Sequence, residues 1–345
     1  MVKKIALFVI VFALLFPLAN LRIIRKYNAG AFPLQKSLAF DPYYRTDYSA
    51  RIDEKQPAIV LLGDSSTRQF VEQVFSQELN QPVMLFAFPG TSSAHWHLFI
   101  RNAILGADHR PKMVFIFFRD TILTTPQYLV RGSYFIRLDE IATSQDTDVY
   151  EIAIDSQKSR LEKLFERYIP LYAYRSDIYF NLIMRMQNLL PGRITDCDDM
   201  CVRKALDQVF DEPKINDLLW EDMLFNQASL LMDETNLDFD QRVGESLLPM
   251  MMEELTRQDV TPVFVRLRFR QHAEGQPDSD ELTAYLQDLR AYICSHGGTY
   301  VDLAGLNDLT SDFFSDNLHL STERAAEASR LIGAYIRAEI ESQME

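Results

Sequence analysis

Three side chains of this sequence are of the types that nucleophilic catalysis needs. They are Ser65 in Gly63-Asp64-Ser65, and Asp316 and His319 in an Asp-x-x-His near the carboxyl end. A serine hydroxyl attacks a carbonyl efficiently only when a base takes its proton, and the base works best when a carboxylate fixes its tautomer. Asp316 and His319 leave the backbone close together and can supply both from one turn. Gly90, in Pro89-Gly90-Thr91, lets the backbone approach closely and can offer its N–H beside that of Ser65 as an oxyanion hole. Asp and Ser are also ordinary helix caps, so the tripeptide alone does not decide the matter. The elements that carry these residues do.

Ala58–Leu62 is a short apolar run of the length of a strand buried on both faces. It stops at Gly63, and Phe70, Val71, Val74, Phe75 and Leu79 then recur at helical spacing. Ser65 is therefore expected at the carboxyl end of a central strand, beside helix-start N–H groups that favour negative charge. Val83–Phe88 reads as a second strand, a helix runs from about His95 to Leu105, and Met113–Phe118 is a third strand ending at Arg119-Asp120. Short connections in the order β-α-β-α-β imply a parallel sheet with right-handed crossovers and a ligand edge at the strand carboxyl ends. Thr121–Gln258 shows no buried strand pattern and reads as a mostly helical insertion, with Glu245–Arg257 as the helix returning to the core. Thr261–Leu267 is the fourth strand, where alternating Arg266, Arg268 and Arg270 are expected to aim their guanidinium groups the same way. Gln271–Ser279 is a loop, Asp280–Ser295 a helix stopped by Gly297-Gly298, Thr299–Leu303 a fifth strand and Thr322–Ile340 a terminal helix.

The 345 residues are 47% hydrophobic and 24% charged, enough to build a core, and the net charge of −14 argues against a nucleic-acid partner. It also disfavours attachment to anionic lipid by charge alone. At the start, Lys3-Lys4 precede the apolar run Ile5–Leu21, closed by Arg22, Arg25 and Lys26. An uncleaved membrane anchor over residues 1–26 is preferred, ahead of a cleaved export signal and a buried helix; positive charge on both flanks leaves the orientation open. Residues 27–55 read as an aromatic stalk with Phe40, Tyr43, Tyr44 and Tyr48, and 56–345 as the body, with 121–258 as its insertion.

Cys197 and Cys201 are close enough to pair in an oxidising compartment, and without a nearby histidine they make no zinc site. Cys294 falls in a helical pattern as a small buried hydrophobe. His95-Trp96-His97 is expected to cap and pack rather than line a groove, and His109, His272 and His296 to be solvated. Asp302 is expected to support the loop carrying Asp316, and the tyrosines of Tyr168–Tyr179 to belong to a core rather than stack on sugars.

With Gly63-Asp64-Ser65 after strand one, Gly90 after strand two, a block ending strand three and Asp316-x-x-His319 before the last helix, the sequence resembles the SGNH (GDSL-like) hydrolase superfamily. The resemblance covers about Pro57–Asp120 and Val260–Ile340. It implies a three-layer α/β/α sandwich with a five-stranded parallel sheet of flavodoxin-like order. It also implies a Ser65–His319–Asp316 triad, with Ser65 and Gly90 N–H groups as oxyanion donors. One block departs from the pattern, since Arg119-Asp120 stands where the superfamily has Asn-Asp and a third donor. Arg119 could take over that contact, hold a substrate carboxylate, or pair with Asp120.

The anchor and helical insertion are similar to those of membrane-tethered branches, the alginate O-acetylation accessory proteins and the D-alanine transfer proteins. That likeness implies an extracytoplasmic body working on an envelope or exported polysaccharide beside a membrane-bound O-acyltransferase, with no metal or organic cofactor. The expected activity is acyl transfer or ester hydrolysis. The alternative is a catalytically silent glycan-binding or scaffold protein that keeps the same fold.

Overall fold

The computed structural model describes residues 2–26, 47–130, 137–138, 140–175, 178 and 237–344, with the backbone alone for 2–10, 12 and 344. Five apolar runs become strands: β1 (Ile59–Gly63), β2 (Val83–Ala87), β3 (Met113–Phe118), β4 (Thr261–Arg266) and β5 (Thr299–Asp302). They form one sheet in the order β2-β1-β3-β4-β5, every neighbouring pair parallel, as expected. All five residues of β1 are buried, which a strand covered on both faces requires. From β1 the chain moves outward to β2 and then back across to β3. Right-handed crossovers in opposite directions place helix Glu72–Glu78 on one face and helix Ser93–Phe99 on the other. The terminal helix Ala325–Met344 packs with the first of these and helix Leu248–Arg257 with the second. The order reverses between β1 and β3, and the crevice at their carboxyl ends is where open α/β sheets bind ligands.

Several elements differ from the sequence expectation. The helix after Ser65 does not begin at once: Ser65–Thr67 is a single 3-10 turn, and the α-helix starts at Glu72. The expected helix His95–Leu105 is α-helical over Ser93–Phe99 and π-helical over Ile100–Ile104, closed by Leu105 N–H donating to Ile100 O at 2.8 Å. The adjacent Arg101 and Asn102 of this turn both bind Asp146. A short helix, Arg270–Ala273, opens the expected loop 271–279, and Cys294 is exposed on its helix rather than buried.

The chain divides into two compact units, one of residues 1–36 and 158–232, the other of 37–157 and 233–345. The expected insertion at 121–258 therefore contributes its two ends to the sheet unit. Ile122, Leu123, Val149 and Met251, all buried, explain why. Tyr48, placed in the stalk by sequence, packs its ring on Phe86, Phe88 and Phe99 with centroids 5.2–5.9 Å apart. In the first unit, Asn20 of helix Val2–Lys26 accepts the Leu171 N–H at 2.9 Å. Among the described residues no helix is long and apolar enough to cross a membrane. Phe40, Tyr43, Tyr44, Tyr179, Cys197, Cys201 and, within the expected insertion, residues 131–136, 139, 176–177 and 179–236 lie outside the described residues.

Candidate functional site

Gly63 ends β1 where any side chain would crowd its neighbours. A Cβ at this position would sit 2.5 Å from the Thr67 methyl and 3.3 Å from Phe117 Cβ. The chain can then turn sharply: Thr67 N–H and Oγ1 both donate to Asp64 O, at 3.2 and 2.9 Å. The Asp64 carboxylate caps the same turn, accepting the Ser66 N–H at 2.9 Å and the Ser66 hydroxyl. Ser66 and Thr67 are buried, while Ser65 between the strand and this turn stays partly exposed.

On the far side of the chain, Ser311–Ser321 folds into a narrow loop closed by Ser315 N–H to His319 O at 2.9 Å and Ser321 N–H to Phe313 O at 2.7 Å. Within it Asp316 Oδ1 accepts the N–H groups of Leu318 (2.7 Å) and His319 (2.8 Å), an Asx turn that points its second oxygen at the imidazole. Asp316 Oδ2 lies 2.8 Å from His319 Nδ1, and His319 Nε2 lies 2.9 Å from Ser65 Oγ. A carboxylate can only accept, so Nδ1 carries the proton and Nε2 presents a lone pair to the serine hydroxyl. Burial pushes the Asp316 carboxyl up, but the hydrogen bonds from His319 and the two backbone N–H groups outweigh it and bring it down to about 2. Residues 254 positions apart thus meet in one hydrogen-bonded chain, as their types and spacing suggest. A mostly apolar pocket next to this turn is lined by Phe70, Leu267, Leu309, Leu318 and Ile332 together with Ser66 and Arg268.

Gly90 follows β2 with φ of 71°, in the left-handed region that favours glycine. Arg119, after β3, is nearly buried and places Nε 3.1 Å from Asp64 Oδ2. Burial would lower its pKa; Asp64 foremost, with a hydrogen bond to Tyr128, raises it instead. Of the three alternatives for Arg119, the pairing with Asp120 does not form, because Asp120 turns to Arg266.

Arg266 is the centre that sequence reasoning missed. It binds Asp120 at 2.9 Å, Asp278 at 2.8 Å and Asp302 at 3.3 Å. Burial lowers its pKa, and these three carboxylates raise it above the ordinary guanidinium range. Asp302 therefore serves Arg266 and caps Ala304 rather than supporting Asp316. The three arginines do not point the same way, because β4 ends at Arg266. Arg268 donates to Leu309 O, Ala304 O and His272 O, and Arg270 pairs with Glu274 at the surface. His272 is not solvated: Nδ1 accepts the Phe269 N–H and Nε2 meets Asp278 at 3.0 Å. The alternation was the available signal, but the carboxylates come from three separate stretches of the chain, after β3, before helix Asp280–Ser295 and at the end of β5.

His95 and His97 are buried, as packing requires, and burial holds both near pKa 3. His109 reaches Pro57 O at 2.9 Å, and His296 stacks on Tyr292 at the surface. Tyr168 is exposed while Tyr174 is buried, so only part of the tyrosine cluster is core. Among the described residues, no group of three or more His, Cys, Asp or Glu side chains is placed to hold a metal ion.

No family model matches this chain, and no curated protein matches it. Among solved structures it is similar to the lipase/acylhydrolase from Enterococcus faecalis, with 11% identity and a TM-score of 0.34 over 81% of this chain and 95% of that one. At that score the alignment carries no argument, and the fold assignment rests on the strand order itself.

Proposed function

We propose that this protein transfers or hydrolyses acyl groups through an acyl-enzyme on Ser65. The observation that supports this most directly is the hydrogen-bonded chain from Ser65 Oγ through His319 to Asp316 at the carboxyl edge of the sheet. Ser65 Oγ attacks the ester carbonyl as its proton passes to His319 Nε2, and the ionised Asp316 stabilises the imidazolium that forms. The N–H groups of Ser65 and Gly90 hold the oxyanion, with Arg119 as third donor beside the Asp64–Ser65 turn. Collapse expels the alcohol, which takes the proton from His319. Water or a sugar hydroxyl then attacks acyl-Ser65, giving its own proton to His319, and Ser65 recovers its proton as the acyl group leaves. The scheme calls for no metal or organic cofactor.

The substrate class we propose is an acyl ester on an envelope or exported polysaccharide. The apolar run Ile5–Leu21 supports this reading, since it would tether the body outside the cytoplasm beside a membrane-bound O-acyltransferase. A second reading, a silent glycan-binding or scaffold protein, is favoured by one observation. The third-donor position holds Arg119, and its Nε faces Asp64.

A fluorophosphonate probe separates the two readings. Wild type should be labelled, Ser65→Ala unlabelled, and His319→Ala labelled slowly while folded. Equal labelling of wild type and Ser65→Ala ends the catalytic assignment.

A further inference from the structure

Helix Arg160–Tyr168 carries an apolar face that the described residues of its own unit meet only at Phe165, whose ring lies 5.7 Å from that of Tyr172. Leu161, Leu164, Phe165 and Tyr168 recur at the i, i+3, i+4, i+7 spacing and are 40–66% exposed. Its other side is fixed: a capping box with Ser159 and Glu162 starts it, and Glu166, buried, binds Lys158 and Arg175. The helix is thus firmly built around a stripe of large apolar side chains that stay at least 40% exposed even where Phe165 meets Tyr172. The two turns that follow are pinned to helix Val2–Lys26, where Asn20 Oδ1 accepts the Leu171 N–H at 2.9 Å and Asn20 Nδ2 donates to Phe16 O at 2.8 Å. That first helix shows a stripe of its own, Val11, Leu14, Leu15, Leu18 and Leu21, all more than 40% exposed.

Charge singles out one occupant. The whole chain carries −14, yet helix Val2–Lys26 holds five basic residues and no acidic one, and 158–175 holds five basic against two acidic. Of these, Arg22, Arg25, Lys26, Arg160 and Arg167 are exposed. A soluble protein partner or a second copy of this acidic chain would explain the apolar stripe or the basic excess. A bilayer with anionic headgroups explains both, since an interfacial helix combines an apolar face with Lys and Arg at its border.

We propose that helix Arg160–Tyr168 lies in the headgroup region of a membrane, its Leu161–Leu164–Phe165–Tyr168 face turned into the acyl boundary. It is a second membrane contact beside the N-terminal helix. The proposal rests on the membrane tether proposed above and specifies what that tether holds against the lipid. Such a helix sits roughly 5–10 Å below the headgroup surface, and each basic residue near an anionic leaflet favours the bound state about fivefold.

The test uses the full chain reconstituted in phosphatidylcholine vesicles with and without phosphatidylglycerol, on a background with Cys197, Cys201 and Cys294 changed to Ser. An environment-sensitive fluorophore is attached singly at Leu164→Cys, Glu162→Cys or Leu14→Cys, and quenched by aqueous iodide or by spin-labelled acyl chains. At Leu164→Cys we expect a blue-shifted emission, quenching by the lipid label and shielding from iodide. The Glu162→Cys probe stays open to iodide. Charge reversal of Arg160 and Arg167 should weaken the Leu164→Cys lipid signal in the anionic vesicles only. A Leu164→Cys probe as open to iodide as Glu162→Cys overturns the proposal, and so does one shielded from both quenchers, which would mean a protein cover. The Leu14→Cys probe keeps the two ideas apart: lipid quenching there with none at Leu164→Cys refutes the interfacial helix and leaves the tether standing. Iodide access at Leu14→Cys refutes the tether itself.

Discussion

The contact between Arg119 and Asp64 offers the sharpest test of how the Ser65 turn is held. Nε and Oδ2 are 3.1 Å apart, with the two side chains 12% and 6% exposed. At that distance the gross attraction is about 5 kcal/mol for an effective dielectric near 20, against about 1 kcal/mol in water. Desolvation of both groups offsets much of it, so the pair is weak as a net stabiliser but costly to halve. Arg119→Ala leaves the Asp64 carboxylate buried with only Ser66 as donor and should destabilise the fold by about 3 kcal/mol. Asp64→Asn should cost a similar amount, and the double variant should fall short of the sum by about 1–3 kcal/mol. Guanidinium unfolding of the four proteins reads this coupling. Turnover reads the chemistry. A third oxyanion donor acts mainly in the transition state, so under the proposed role Arg119→Ala should lower kcat about 10²–10³-fold on a small uncharged acetyl ester with KM little changed. Arg119→Lys should recover little, because an ammonium lacks the planar fork. Asp64→Asn keeps the donor but loosens its aim and should cost less turnover than Arg119→Ala. Additive stabilities would refute the pairing, and a normal kcat in Arg119→Ala would refute the oxyanion role. A raised KM confined to acidic substrates would move Arg119 to carboxylate binding.

Asp316→Asn should keep the fold yet reduce kcat by up to about 10⁴, since an amide can hold the wrong tautomer of His319; steady-state kinetics on the same ester checks it. Gly63→Ala should destabilise by about 1–3 kcal/mol and slow fluorophosphonate labelling, because its Cβ collides with Thr67 at 2.5 Å; unchanged labelling counts against the turn as Ser65's support. His95 and His97 fall from 6.5 to about 3 on folding, so the unfolded chain binds more protons in acid: their stabilisation is complete above pH 6.5 and is lost as pH falls toward 3. Between pH 6.5 and 5 the loss should be about 2 kcal/mol for each histidine, and urea midpoints should drop less steeply in His97→Gln; equal slopes would contradict it. A carboxyl-terminal reporter that works only in the cytoplasm should be silent, and an active one refutes an external body.

The sequence alone determined the sheet and the three side chains that meet at its edge. Apolar runs of strand length with short connections leave few topologies, and the parallel order was legible for that reason. Ser65, Asp316 and His319 were legible because each closes or follows a strand at one edge, and because an Asp-x-x-His turn brings its own two members together locally. Helix Asp280–Ser295 was read to the residue, since Ser279 caps it and Gly297-Gly298 stops it. What the sequence could not decide was the partner of each charge. Arg119 has an aspartate next to it at Asp120, yet Asp120, with φ of 33°, meets Arg266 while Arg119 meets Asp64. Arg266 gathers carboxylates from positions 120, 278 and 302. The π-turn at Ile100–Ile104 likewise accompanies Asp146 and the distant Glu254 around Arg101, and 3.6-residue periodicity does not encode it. Hydrophobic pattern is a local property and survives in the chain order. Ion pairing is set by which loops the finished sheet brings to one edge, and only the tertiary structure decides that.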